Sequence, residues 1–93
     1  MVVAIYTVDL VIPESHELKD KRRIIMQLRN KITRKFNVSM AEVDHHNLWQ
    51  RTTLGIACLA NKQQHVNQVL DQVMNIIYQL PLIEVVNCRK EFI

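Results

Sequence analysis

Ninety-three residues with a formal charge of +3 make one domain, and two prolines and a single glycine leave no room for low-complexity sequence or long flexible linkers. One glycine also excludes a Walker loop and a dinucleotide-binding turn, which need several. No run approaches 18 uncharged apolar residues, and Met1 leads straight into an alternating pattern with no early basic residue, so the chain reads as cytosolic, without a signal peptide or a membrane span.

Residues 2–12 alternate, with Ala4, Tyr6, Val8, Leu10 and Ile12 in one phase and Val3, Ile5, Thr7, Asp9 and Val11 in the other. Both phases are largely apolar, which predicts a central strand that Pro13 ends. Ser15 is the expected N-cap of a helix over roughly 17–35, with Leu18, Lys21, Ile25, Leu28 and Ile32 on one face and Phe36 four residues later. Val38 to Val43 reads as a short strand, Asp44-His45-His46-Asn47 as a turn, and Gln50 to Ala60 as another strand. Gly55 in mid-strand predicts a bulge or a close neighbour. Asn61-Lys62-Gln63-Gln64 resembles a capping box before an amphipathic helix reaching about Gln79; Pro81 stops it, and Leu82 to Phe92 forms a last strand.

The order β-α-β-β-α-β, with two crossovers around one hairpin, predicts an α+β, ferredoxin-like split β-α-β sandwich spanning residues 1–93. Its antiparallel four-stranded sheet would have order 4-1-3-2, with two helices on one face. The turn at 13–17, the hairpin loop at 44–50 and the turn at 80–82 then emerge at one end, beside the start of the first helix. Cys58 and Cys88 lie in apolar runs with no CxxC, and both are expected to be buried free thiols.

Charge is unevenly distributed. Residues 18–36 carry Lys19, Lys21, Arg22, Arg23, Arg29, Lys31, Arg34 and Lys35 against Asp20, a net +7, so the other seventy-four carry −4. Such a helix suits a phosphate backbone; the plainer reading is a solvated exterior whose stems shield the core edge. Lys21 occupies the apolar stripe, either snorkelling past the core or aiming its ammonium at anions near the helix N-terminus. Leu48-Trp49-Gln50-Arg51 offers an indole that could pack as core or stack on a base, beside a guanidinium for phosphate. The expected nucleic-acid-binding set is therefore Lys19, Lys21, Arg22, Arg23, Arg29, Trp49, Gln50 and Arg51.

Rival chemistries are weaker. His16, Asp44, His45 and His46 could bind a metal, but neighbouring side chains on extended backbone point oppositely, so His45 and His46 are no ready pair. Ile12-Pro13-Glu14-Ser15 lacks the glycines of an acylphosphatase phosphate cradle. No catalytic residue and no cofactor is expected, and a small metal-dependent or phosphoryl hydrolase using the histidines is an alternative. The third strand, Gln50 to Ala60, has no aromatic residue, so bases would not stack on the sheet as in an RNA-recognition module. Strand 38–43 carries only Glu42 as a charge, an edge that invites a homodimer; an oligomeric adaptor for an acidic protein partner is the other alternative.

The segments Leu18-Lys19-Asp20-Lys21-Arg22-Arg23, Phe36-Asn37-Val38-Ser39, Ala41-Glu42-Val43, Leu48-Trp49-Gln50-Arg51 and Leu54-Gly55 resemble the small bacterial family called domain of unknown function 503, the YlxP-like proteins. The resemblance covers essentially the whole chain; Pro13-Glu14-Ser15 departs from the glycine that relatives often place before the serine. It implies a ferredoxin-like fold and a bacterial cytosolic protein. Its members are often encoded among transcription and translation genes, which points to RNA or ribosomal particles as partners. It implies no established activity.

Overall fold

A computed structural model describes all residues, Met1–Ile93. The elements are β1 (Val2–Val11), α1 (Leu18–Lys35), β2 (Val38–Asp44), β3 (Arg51–Ala60), α2 (Gln63–Tyr78) and β4 (Glu84–Phe92). They build one sheet in the order β2-β3-β1-β4, every neighbouring pair antiparallel. This is the ferredoxin-like arrangement expected from the sequence, and β1 is central.

The core follows from the period-two and period-3.6 patterns. Ala4, Val8 and Leu10 of β1, Met40 of β2, and Leu54, Ile56 and Cys58 of β3 all bury in one phase against Leu28 and Ile32 of α1 and Val66, Leu70, Val73, Met74 and Ile77 of α2. Both helices therefore cover the same face. Tyr6 shares this phase and is half-buried at the core's edge, with Lys90 Nζ 5.7 Å from its ring. The open face has no aromatic residue.

Local details differ from the expected ones at the helix starts. The N-cap of α1 is Glu17, without a side-chain bond; Ser15 is buried and its hydroxyl donates to Glu17 O at 3.2 Å instead. Asp20, in the first turn, accepts from His16 N at 3.1 Å and so ties the entering chain back onto the helix. In α2 no capping box forms: Lys62 is the N-cap and makes no side-chain bond. Of the two readings of Gly55, the structure shows the close neighbour: the glycine pairs regularly with Ala41 and Thr7, and Val43, at the register shift between Glu42 and Asp44 of β2, leans onto it. A Cβ at position 55 would come 3.1 Å from Val43 Cγ1.

Lys21 defines how the helical layer meets the hairpin. It is fully buried, and its Nζ lies 2.8 Å from Glu42 Oε2, 2.8 Å from His45 O, 3.2 Å from His46 O and 3.2 Å from Arg51 O. Three protons meet four oxygens, so every donor is engaged. Thr52, also buried, donates to the same Glu42 oxygen at 2.6 Å. Lys21 does not snorkel, and the anion it meets is the protein's own Glu42, because the β2–β3 loop closes over the apolar stripe just where its ammonium ends. A fully buried ammonium is tolerable only with this set of oxygens.

Cys58 is buried and Cys88 half-buried, less enclosed than expected because β4 is an edge strand. They face Ala4 and Val8 of β1, four residues apart, and remain free thiols. Burial pushes both thiols above their ordinary pKa, with Lys90 partly opposing this at Cys88.

Removing one partner of the buried pair should be costly: Lys21→Met is expected to lower stability by about 3–5 kcal/mol by urea unfolding, and adding Glu42→Gln should recover part of that loss. A loss for Lys21→Met within the ~0.5 kcal/mol usual for surface changes would contradict the pairing. The thiols give a pH prediction of definite sign. Folded cysteines hold their protons to higher pH than unfolded ones, so their contribution to stability is full below the ordinary thiol range and falls as pH rises through it. Urea midpoints should therefore drop on the alkaline side, and less so in a Cys58→Ala/Cys88→Ala variant.

Candidate nucleic-acid interface

The topology gathers the end of β1, the β2–β3 loop and the start of α1 at one end of the sheet. Direct bonds knit them together. Ile12 N donates to Gln50 O at 2.8 Å, and Gln50 Nε2 donates to Pro13 O at 3.2 Å and Ser15 O at 3.1 Å. Three carbonyls of the loop and its exit, those of His45, His46 and Arg51, point inward at Lys21.

The loop starts with His45 at φ 61°, the one residue in the left-handed region, where histidine is tolerated better than bulkier types. Its N–H donates to Asp44 Oδ1 at 2.7 Å, and its O also accepts Leu48 N–H at 3.2 Å, closing a turn. Its Nδ1 lies 2.8 Å from Thr53 Oγ1, whose own proton goes to Asp9 Oδ1. Nδ1 must therefore donate, which fixes the tautomer of the neutral ring and leaves Nε2 as an acceptor.

With its backbone turned inward, the loop shows side chains outward. Trp49 is 55% exposed and Leu48 46% exposed. With Asn47, Gln50 and Arg51 they line an open recess of about 380 Å³. The indole is presented, not used as core.

Lys19, Arg22, Arg23 and Arg29 are all exposed on α1, as are Lys31, Arg34 and Lys35. Arg22 and Arg29 step along one flank of the helix at 100° per residue. Ile24, Gln27 and Lys31 lie on the other, beside an apolar groove of about 240 Å³ closed by Leu80, Pro81, Leu82 and Ile83. Arg23 Nη2 reaches Asp20 Oδ1 at 3.3 Å, an exposed contact worth little that leaves most of the guanidinium free. Arg51 is exposed and makes no ion pair.

Two members of the expected set have their donors taken by the protein itself. Lys21 has no donor left for a phosphate, and the amide donors of Gln50 are spent on Pro13 and Ser15. Lys21 shapes the site from beneath, and Gln50 lines the recess while its amide holds the loop to the turn after β1. Glu42 and Thr52 complete the Lys21 clamp; the sequence marks Glu42 only as the one charge of strand 38–43 and does not mark Thr52, and the usable signal is that lone acid together with a lone lysine in an apolar stripe.

The histidine candidates do not converge. His46 Nε2 lies 3.1 Å from Glu42 O, Asp44 and His45 are held as above, and His16 is exposed beside the start of α1. No three His, Cys, Asp or Glu side chains are grouped to hold a metal ion. No helix is long and apolar enough to cross a membrane.

Residues 3–90 match the family described as "Protein of unknown function (DUF503)". A relative from Bacillus subtilis (strain 168), named "Uncharacterized protein YlxP", is 31% identical over 84 residues, covering 90% of this chain and 91% of its own. The match spans both halves of the sheet, the basic helix and the clamped loop, and the chain belongs to the DUF503 family of proteins of unknown function.

Proposed function

We propose that this protein binds RNA without catalysing a reaction, through the exposed cations of α1 and the indole held at the tip of the β2–β3 loop. Lys19, Arg22, Arg23 and Arg29 contact phosphates; Arg51 adds a forked contact beside Trp49. Trp49 stacks on an unpaired base, so the substrate is looped or single-stranded RNA, with a structured ribosomal RNA the leading choice.

The observation that carries this reading is the 55% exposure of Trp49 on a loop whose backbone is clamped from beneath. A large aromatic left in water on a held loop has a ready use as a stacking surface. The cation density of α1 supports the same reading, since like charges at i,i+4 spacing cost the helix a few tenths of a kcal/mol each.

Trp49 is the single tryptophan, so its fluorescence reports on the site alone. Unstructured or looped RNA should quench it. Trp49→Ala should weaken binding by about 1–3 kcal/mol, roughly 5- to 150-fold. Reversing Arg22, Arg23 and Arg29 to Glu should abolish binding while the circular dichroism spectrum stays unchanged. The native protein should sediment with ribosomal particles and be stripped off by high salt. No measurable RNA affinity at low salt would end the proposal.

A further inference from the structure

The two free edges of the sheet are protected very differently. β4 carries Glu84, Arg89, Lys90 and Glu91, and its pairing with β1 shifts register between Asp9 and Leu10. Charges and bulges of this kind blunt an edge against further pairing. β2 keeps its register shift and its terminal Asp44 to its last residues, beyond Glu42, and is regular before them. From Val38 to Glu42 its one charge is Glu42, and that carboxylate is turned onto Lys21 and Thr52 beneath α1. The exposed side chains on this stretch are Ser39 and Ala41, too small to hinder an approaching strand.

We infer that β2 is an interaction surface for a second copy of this chain, pairing antiparallel with its counterpart about a two-fold axis near Ala41. The charges at the two ends of the strand select this partner and direction. Arg34 and Lys35 precede β2, and Asp44 closes it. In the antiparallel pair each Asp44 lies across from the other copy's basic end, twice per dimer. A parallel pair would set like against like. Val43, 54% exposed at the register shift, lies beside the other copy's Ser39 and is covered. The contact is isologous and closes on itself, so it ends at a dimer. It joins two four-stranded sheets into one of eight strands. Both α1 helices, which pack beside β2, then lie on the same face next to the seam. The inference stands apart from the RNA reading, although such a dimer would present two basic helices to one polyanion.

The test uses full-length protein freed of nucleic acid by nuclease and a high-salt wash, so that RNA cannot bridge copies. Sedimentation equilibrium from about 5 to about 500 μM should show a monomer–dimer equilibrium, as a small interface gives. Ser39→Lys/Ala41→Lys, at exposed positions, should remain folded and monomeric throughout. Opposed Cα atoms in an antiparallel pair are roughly 4.5–5.5 Å apart, within disulfide reach. Ala41→Cys should therefore form a covalent dimer under mild oxidation, whereas wild type and Val86→Cys on the other edge should not. A wild type that stays monomeric, or a dimer that survives Ser39→Lys/Ala41→Lys, overturns the inference.

Discussion

One ammonium group decides how this small domain is built. Taking a lysine fully out of water costs several kcal/mol, and the total stability of a chain this size is only about 5–15 kcal/mol. The cost is offset because Lys21 finds Glu42 and three backbone carbonyls within 3.2 Å. No buried side-chain nitrogen or oxygen is left without a partner. A leucine in the same stripe would pack against the core, but it would leave those three loop carbonyls without this donor. The lysine joins helix α1, strand β2 and the loop between β2 and β3 at a single point.

That arrangement connects packing to surface chemistry. A loop whose carbonyls are drawn inward must turn its side chains outward, and Trp49 and Arg51 are among those it exposes. Gln50 ties the far side of the loop to the Pro13–Ser15 turn, so the tip is held from two directions. The His45–Thr53–Asp9 chain fixes the entry. Near this tethered tip stand Lys19, Arg22 and Arg23 on the first turns of α1, and the other exposed cations of the helix follow along its length away from the tip. Two tasks are thus divided among neighbours on one helix: one cation organises the loop, and the others remain free to meet an anion.

The architecture was readable because it rests on local periodicity. Ala4, Val8 and Leu10 alternate, Leu28 and Ile32 keep helical spacing, and the element order leaves few topologies. The interface was readable only in part. Lys21 stood out as a charge in an apolar stripe, but its partners lie 21 to 30 residues away in sequence, and only the folded hairpin brings them together. The tether of the exposed Gln50 has no local sign because its acceptors sit on the turn after β1. Exposure of Trp49 had no local signature either, since the same Leu-Trp-Gln-Arg string serves equally well packed inward. Helix starts were misread for a related reason: Ser15 and Asn61 are good capping residues, yet hydrogen bonds to nearby backbone and the path of the entering chain put Glu17 and Lys62 at the caps.

If Lys21 organises the loop and touches no phosphate, its effect on RNA binding separates from its charge. The direct measurement is the salt dependence of RNA affinity for Lys21→Met/Glu42→Gln, which removes one charge of each sign and leaves the net charge unchanged. Loosening the loop should weaken binding at every salt concentration while the log–log slope stays that of the wild type. A slope shallower by about 0.7, the loss of one phosphate contact to single-stranded RNA, would show that Lys21 itself meets the backbone and would contradict the account.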